Sequence, residues 1–89
     1  MIKVIEIKTP NCARCKQFEP EYQKIKSTYT DIEYSELVFG QDPKAMDYAN
    51  KFSIRSAPTF IIEVTNEFGD IISECTKPED LEERIKSLL

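Results

Sequence analysis

The sequence predicts an α/β domain whose four strands form a mixed sheet covered by helices on both faces. Three observations carry this. The first strand-like run, Ile2–Lys8, is apolar on both alternating faces; helical stretches separate the first three strand-like runs; and the last two runs are close enough for a hairpin before a closing helix. The order is β-α-β-α-β-β-α.

Taken in turn, Ile2-Lys3-Val4-Ile5-Glu6-Ile7-Lys8 suits an interior strand, with Glu6 interrupting the face it shares with Ile2 and Val4. From Cys12 the period changes. Cys15, Phe18, Tyr22, Ile25 and Tyr29 step by three and four and form the apolar stripe of a long helix. Pro20 lies inside it, and its missing N–H and bulky ring predict a kink between Lys16 and Pro20. Ile32–Val38 reads as the second strand. Gly40-Gln41-Asp42-Pro43 has the form of a helix entry, with Asp42 as cap and Pro43 at the first helical position. Met46, Ala49 and Phe52 mark the buried side of that helix. Thr59–Thr65 is a third strand, Asn66–Asp70 a turn and Ile71–Glu74 a short fourth strand. Pro78 opens the closing helix, with Leu81, Ile85 and Leu88 as its inner stripe. Helical connections predict parallel pairing after each of the first two strands, and the hairpin is antiparallel.

No repeat, low-complexity tract or linker divides the chain, so residues 1–89 are expected to form one domain. A chain this short buries only roughly 60–65% of its unfolded surface, which leaves a small core. Sixteen acidic and twelve basic side chains give a net charge of −4. That balance argues against unaided binding to nucleic acid or to an anionic membrane. No run approaches membrane-spanning length, and a strand starting at Ile2 leaves no room for a signal peptide. Three cysteines are too few, and odd in number, for a disulfide-stapled secreted scaffold. A monomer in the reducing cytoplasm is expected, although a mature chain freed of an export signal would read the same.

The chemistry centres on Thr9-Pro10-Asn11-Cys12-Ala13-Arg14-Cys15-Lys16, where the first strand gives way to the first helix. A helix starting near Cys12 places that sulfur beside unpaired backbone N–H groups at the positive end of the helix dipole. A thiolate is favoured there, so the Cys12 pKa is expected below the free value of about 8.5, with Arg14 and Lys16 pushing the same way. Cys15 lies almost one turn further in, within reach of Cys12 and more sheltered. An accessible nucleophilic sulfur and a sheltered resolving one suit reversible dithiol–disulfide chemistry. Two other readings stand beside it: half of a zinc or iron–sulfur site completed by another chain, and a fixed structural bridge. The chain has no His.

Later in the chain, Ile54-Arg55-Ser56-Ala57-Pro58-Thr59-Phe60 sets a proline at the mouth of an apolar strand, a place suited to a strand start or edge. Cys12-Ala13-Arg14-Cys15 after a first strand, followed by Ala57-Pro58-Thr59 before a hairpin, resembles the thioredoxin–glutaredoxin superfamily. Lys16-Gln17-Phe18-Glu19-Pro20 is similar to the thioredoxin active-site helix, and Phe52–Thr59 to the run leading into its cis-proline. The immediate start on the strand before the cysteines looks more like glutaredoxin.

The resemblance implies a thioredoxin-like fold with thiol–disulfide oxidoreductase activity, and no cofactor or metal is required. It implies Cys12 as nucleophile, Cys15 as resolving thiol and a cis Pro58 packed against the pair. It also implies a substrate held by Asn11, Ala13, Arg14, Ala57, Pro58 and Thr59, in part through strand-like backbone hydrogen bonds. Glu6 falls where thioredoxins keep a buried acid, and in that role would accept the Cys15 proton. The alternative for Glu6 is a carboxylate turned to water or neutralised by Lys3 or Lys8. Where thioredoxins carry a lysine near that acid, this chain offers Glu36. Cys75 follows the expected fourth strand, and Ser73 and Glu74 replace the glycines of a glutaredoxin glutathione groove. Cys75 is therefore read as a half-buried, small apolar residue. The expected partners are a disulfide-containing protein substrate and a reductase or low-molecular-weight thiol that recharges the pair. The rival function is a binding module that docks a partner in the groove beside Pro58.

Overall fold

The computed structural model describes all 89 residues. Strand β1 (Ile2–Lys8) lies inside a four-stranded sheet ordered β2-β1-β3-β4, where β2 is Glu33–Val38, β3 is Thr59–Thr65 and β4 is Ile71–Thr76. Its two apolar faces are both covered, as its sequence requires. Helix α1 (Ala13–Thr28) and helix α3 (Leu81–Leu88) pack over one face, where Val4, Phe60 and Ile62 meet Tyr22, Ile25, Leu81 and Ile85. Helix α2 (Pro43–Phe52) covers the other, where Ala45 meets Ile5, Ile7 and Ile61. Phe18, Tyr22 and Phe60 form an aromatic cluster, with ring centroids of 5.5 Å for Phe18–Phe60 and 5.0 Å for Tyr22–Phe60. No helix is long and apolar enough to cross a membrane.

The pairing corrects one expectation. β1 and β2 are parallel, but β3 runs antiparallel to both β1 and β4. The end of β2 (Val38, beside Lys8) and the start of β3 (Thr59, beside Ile7) lie at the same end of the sheet. The ten-residue α2 therefore leads the chain across the sheet and returns it to the end it left. Parallel pairing would have needed it at the opposite end.

Other differences are local. In α2, Ala45, Tyr48 and Phe52 pack inward and Ala49 is half-buried, whereas Met46 stays 48% exposed. Asp42 is the residue before α2, but its carboxylate accepts a hydrogen bond from the Val38 N–H at 2.8 Å and ties the helix entry back to β2. A turn of 3₁₀ helix, Pro78–Asp80, precedes α3. Strand β4 extends two residues beyond the expected Glu74, because the ladder to β3 continues through Ile61–Cys75 and Phe60–Thr76. Cys75 is thus inside the edge strand and exposed, not half-buried beyond its end. Between β3 and β4, Gly69 takes a φ of +85° that suits a residue without a Cβ, and the Asn66 side chain accepts from the N–H groups of Phe68 and Asp70.

Phe60 is fully buried at the junction of α1, β1 and β3, so Phe60→Ala is expected to lower stability by about 3–5 kcal/mol. Met46→Lys, on the outer side of α2, is expected to change it by less than about 0.5 kcal/mol. Urea unfolding of the two variants beside the parent protein measures both.

Candidate redox site

β1 ends at Lys8, and the chain turns through Thr9, Pro10 and Asn11 before α1 begins. Asn11 adopts φ 59°, a left-handed conformation that asparagine tolerates better than most side chains. Cys12 is the helix N-cap, with φ −83° and ψ 106°. Its sulfur accepts the Cys15 backbone N–H at 3.1 Å, the place usually taken by a serine or aspartate oxygen. Cys12 and Cys15 are joined in a disulfide, their Cα atoms 5.3 Å apart. Cys15 is buried and Cys12 half-buried, so the two sulfurs are unequal in the sense the spacing predicts.

The loop before β3 is brought to this turn by strand pairing. Ile7, at the end of β1, stands opposite Thr59, the first residue of β3. Thr59 is buried, and its hydroxyl donates to the Ser56 carbonyl at 2.7 Å, which braces the intervening loop. Pro58 is buried and the Ala57–Pro58 peptide is cis. Two cavities meet at this place. One, of about 410 Å³, is bordered by Cys12, Ala13, Ala57, Ile7, Ile54 and Phe39, with Arg14 and Arg55 also on its wall. The other is bordered by Pro58, Phe18, Gln17 and Lys77, and Arg14, Ser56 and Ala57 border both.

Of the sequence-predicted site residues, Cys12, Ala13, Arg14, Ala57 and Pro58 therefore converge. Asn11 and Thr59 border neither cavity: the first is exposed in the turn, the second is sealed beneath the loop. Sequence reasoning missed Phe39 and Arg55. An aromatic side chain in the short β2–α2 connection was the available signal for Phe39, and adjacence to Ser56-Ala57-Pro58 the signal for Arg55.

Glu6 is 2% exposed and borders a third cavity with Cys15, Lys8, Lys16, Glu19 and Glu36. The alternative of a carboxylate turned to water does not hold. Burial pushes its pKa up from the ordinary carboxylate value, Lys8 opposes that rise, and the nearby charges of Glu19 and Glu36 add to it. Lys8 makes its ion pair with Glu36, at 2.8 Å, and not with Glu6. Cys75 borders none of these cavities; desolvation beside its strand pushes that thiol up from the ordinary value.

An N-capping sulfur that is partly accessible, bonded to a buried sulfur one turn on, with a buried acid beside the second, can exchange a disulfide and manage the proton that accompanies it. Known proteins share the framework. The thioredoxin family model matches residues 2–87. Thioredoxin F2, chloroplastic, of Arabidopsis thaliana is 34% identical over 82 residues, which are 90% of this chain and 42% of that protein. Protein disulfide-isomerase A4 of Mus musculus is 40% identical over 60 residues, 66% of this chain and 9% of that protein. The chain thus spans under half the length of either relative. Among solved structures, one of a ferredoxin:thioredoxin reductase and thioredoxin f2 complex aligns with a TM-score of 0.70 and 30% identity, over 98% of this chain and 76% of that one. A thioredoxin from Thermus thermophilus reaches the same TM-score at 14% identity, over 99% and 74%, and so shares the fold. Fold, cysteine pair and family match agree: this chain belongs to the thioredoxin family.

Proposed function

We propose that the protein is a thiol–disulfide oxidoreductase that reduces disulfides in protein substrates. The observation that carries this is the Cys12–Cys15 disulfide at the tip of α1, with Cys12 bordering an apolar cavity and the buried Cys15 bordering the same cavity as Glu6. In the reduced protein the Cys15 N–H and the helix N-terminus favour Cys12 as a thiolate. That thiolate attacks one sulfur of the substrate disulfide. The substrate S–S bond breaks, its electron pair leaves on the second sulfur, which takes a proton, and a Cys12–substrate disulfide forms. Cys15 then attacks the Cys12 sulfur and gives its own proton to the Glu6 carboxylate. The Cys12–substrate bond breaks, the second substrate thiolate leaves and is protonated, and the Cys12–Cys15 bond forms. Two electrons have passed to the substrate.

The substrate's reacting segment lies against Ala57 and Pro58, with Ala13 and Arg14 bordering the same place. An apolar side chain beside the substrate cysteine suits the cavity walled by Ile7, Phe39 and Ile54. A dithiol reductase is the recharging partner we favour over a low-molecular-weight thiol. In support, a structural neighbour is a thioredoxin f2 in complex with ferredoxin:thioredoxin reductase. A reducing compartment such as the cytoplasm suits a pair that must be recharged after every turnover.

Insulin reduction with a dithiol recharging system tests the assignment. Cys12→Ser is expected to fall to the uncatalysed rate, and retained activity in that variant would overturn the proposal. Cys15→Ser is expected to accumulate a mixed disulfide with the substrate, visible by mass spectrometry. A silent parent protein that nonetheless binds a partner tightly would favour a docking module instead.

Glu6→Gln is expected to slow resolution of the mixed disulfide on the order of 10²-fold. The same change is expected to stabilise the fold at neutral pH. The folded-state pKa of Glu6 is raised, so the cost of its buried charge is absent below the ordinary value of 4.5 and grows as pH rises through the folded value. Urea unfolding at pH 7 should show Glu6→Gln more stable than the parent, and unfolding near pH 4 should show the difference gone.

A further inference from the structure

Glu6 and Glu36 stand side by side in the parallel register of β1 and β2, and Lys8 lies two residues beyond Glu6 on the same face of β1. Three carboxylates (Glu6, Glu19 and Glu36) and two cations (Lys8 and Lys16) thus border the cavity that Cys15 borders, and Lys8 is the cation on β1 beside Glu6. The cation is committed: Lys8 Nζ lies 2.8 Å from Glu36 Oε2, and the two side chains are 29% and 58% exposed. Glu6, far more buried than either, makes no ion pair.

We propose that Glu36 is a positioning residue of the redox site, acting through Lys8: by holding the ammonium group in an ion pair it keeps that group from pairing directly with Glu6, which is left to take the Cys15 proton. This inference rests on the reading of Glu6 as proton acceptor. A lysine released to Glu6 would stabilise the carboxylate and weaken it as a base. Other groups face Glu6 as well, Glu19 among them. From α1 it is faced by Lys16 and Glu19 at the cavity, by Lys26 at longer range and by the buried phenol of Tyr22, while its register partner on β3 is the apolar Phe60. The hydrogen bond from Lys8 to Glu36 also holds the lysine pKa up, which keeps the ammonium charged.

The test uses two variants that push in opposite directions. Glu36→Gln removes a neighbouring negative charge and frees Lys8 to approach Glu6; Lys8→Gln removes the cation. The Glu6 carboxyl is followed by ¹³C NMR titration of the full-length oxidised protein, and the resolution step by stopped-flow release of a fluorescent substrate thiol between pH 4 and 8. Glu36→Gln is expected to move the Glu6 midpoint and the acid limb of resolution to lower pH, and to slow resolution at neutral pH severalfold. Lys8→Gln is expected to move both to higher pH. A purely structural ion pair would lower the urea midpoint in both variants and leave the two titrations in place. Unmoved titrations, or shifts of the same sign, overturn the proposal. Glu6→Gln distinguishes a deeper failure: if its acid limb and rate match the parent's, Glu6 is not the acceptor and the reading beneath the proposal falls as well.

Discussion

The pairing of β1 with β3 is the constraint on which the redox site depends. Ile7 opposite Thr59 brings two segments more than forty residues apart in sequence to the same end of the sheet. One is the turn that delivers Cys12, and the other is the loop that delivers Pro58. Because β1 is also paired with β2 and its faces are covered by α1 and α2, its end is fixed in position. Reactive groups on a turn gain precision from such a framework, since most of the ordering entropy is met by the folding of the core.

Electrostatics act on this framework in two different settings. At the helix tip, a backbone amide donates to the Cys12 sulfur, and the positive end of α1 favours negative charge there. One layer below, Glu6 is held where its charge is poorly solvated. The first setting favours a thiolate and the second favours a protonated acid. Side by side, they give the two sulfurs different tasks. A carboxylate buried in this way opposes folding at neutral pH.

The sequence made the helices and the inner strands legible because their patterns are strong: short, β-branched runs apolar on both faces in β1 and β3, three-and-four stepping in α1 and α3. The cysteine spacing placed the site. What it did not show followed from tertiary geometry. The direction of β3 depends on where α2 returns the chain, and a ten-residue helix serves either a parallel or a crossing connection. Met46 and Ala45 are neighbours, so a shift of one residue in helical phase exchanges the buried side for the open one. β4 continues past Glu74 because its partner β3 supplies hydrogen bonds there, a fact that local propensity does not carry. Phe39 joins the cavity wall only because the β2–α2 connection folds over the end of β1. Spacing along β1 offered Lys8 to Glu6; in the structure it pairs with Glu36, which the parallel register brings beside Glu6 from the neighbouring strand.

The capping bond at Cys12 bears on how the molecule keeps its shape while it works. The amide of Cys15 needs an acceptor, and the sulfur supplies one when it is half of a disulfide and a stronger one when it is an anion. Opening the covalent bridge therefore leaves the first turn of α1 with its end still sealed. In the proposed cycle electrons enter and leave through an atom that also terminates secondary structure, and the Cys15 amide keeps its acceptor in both redox forms.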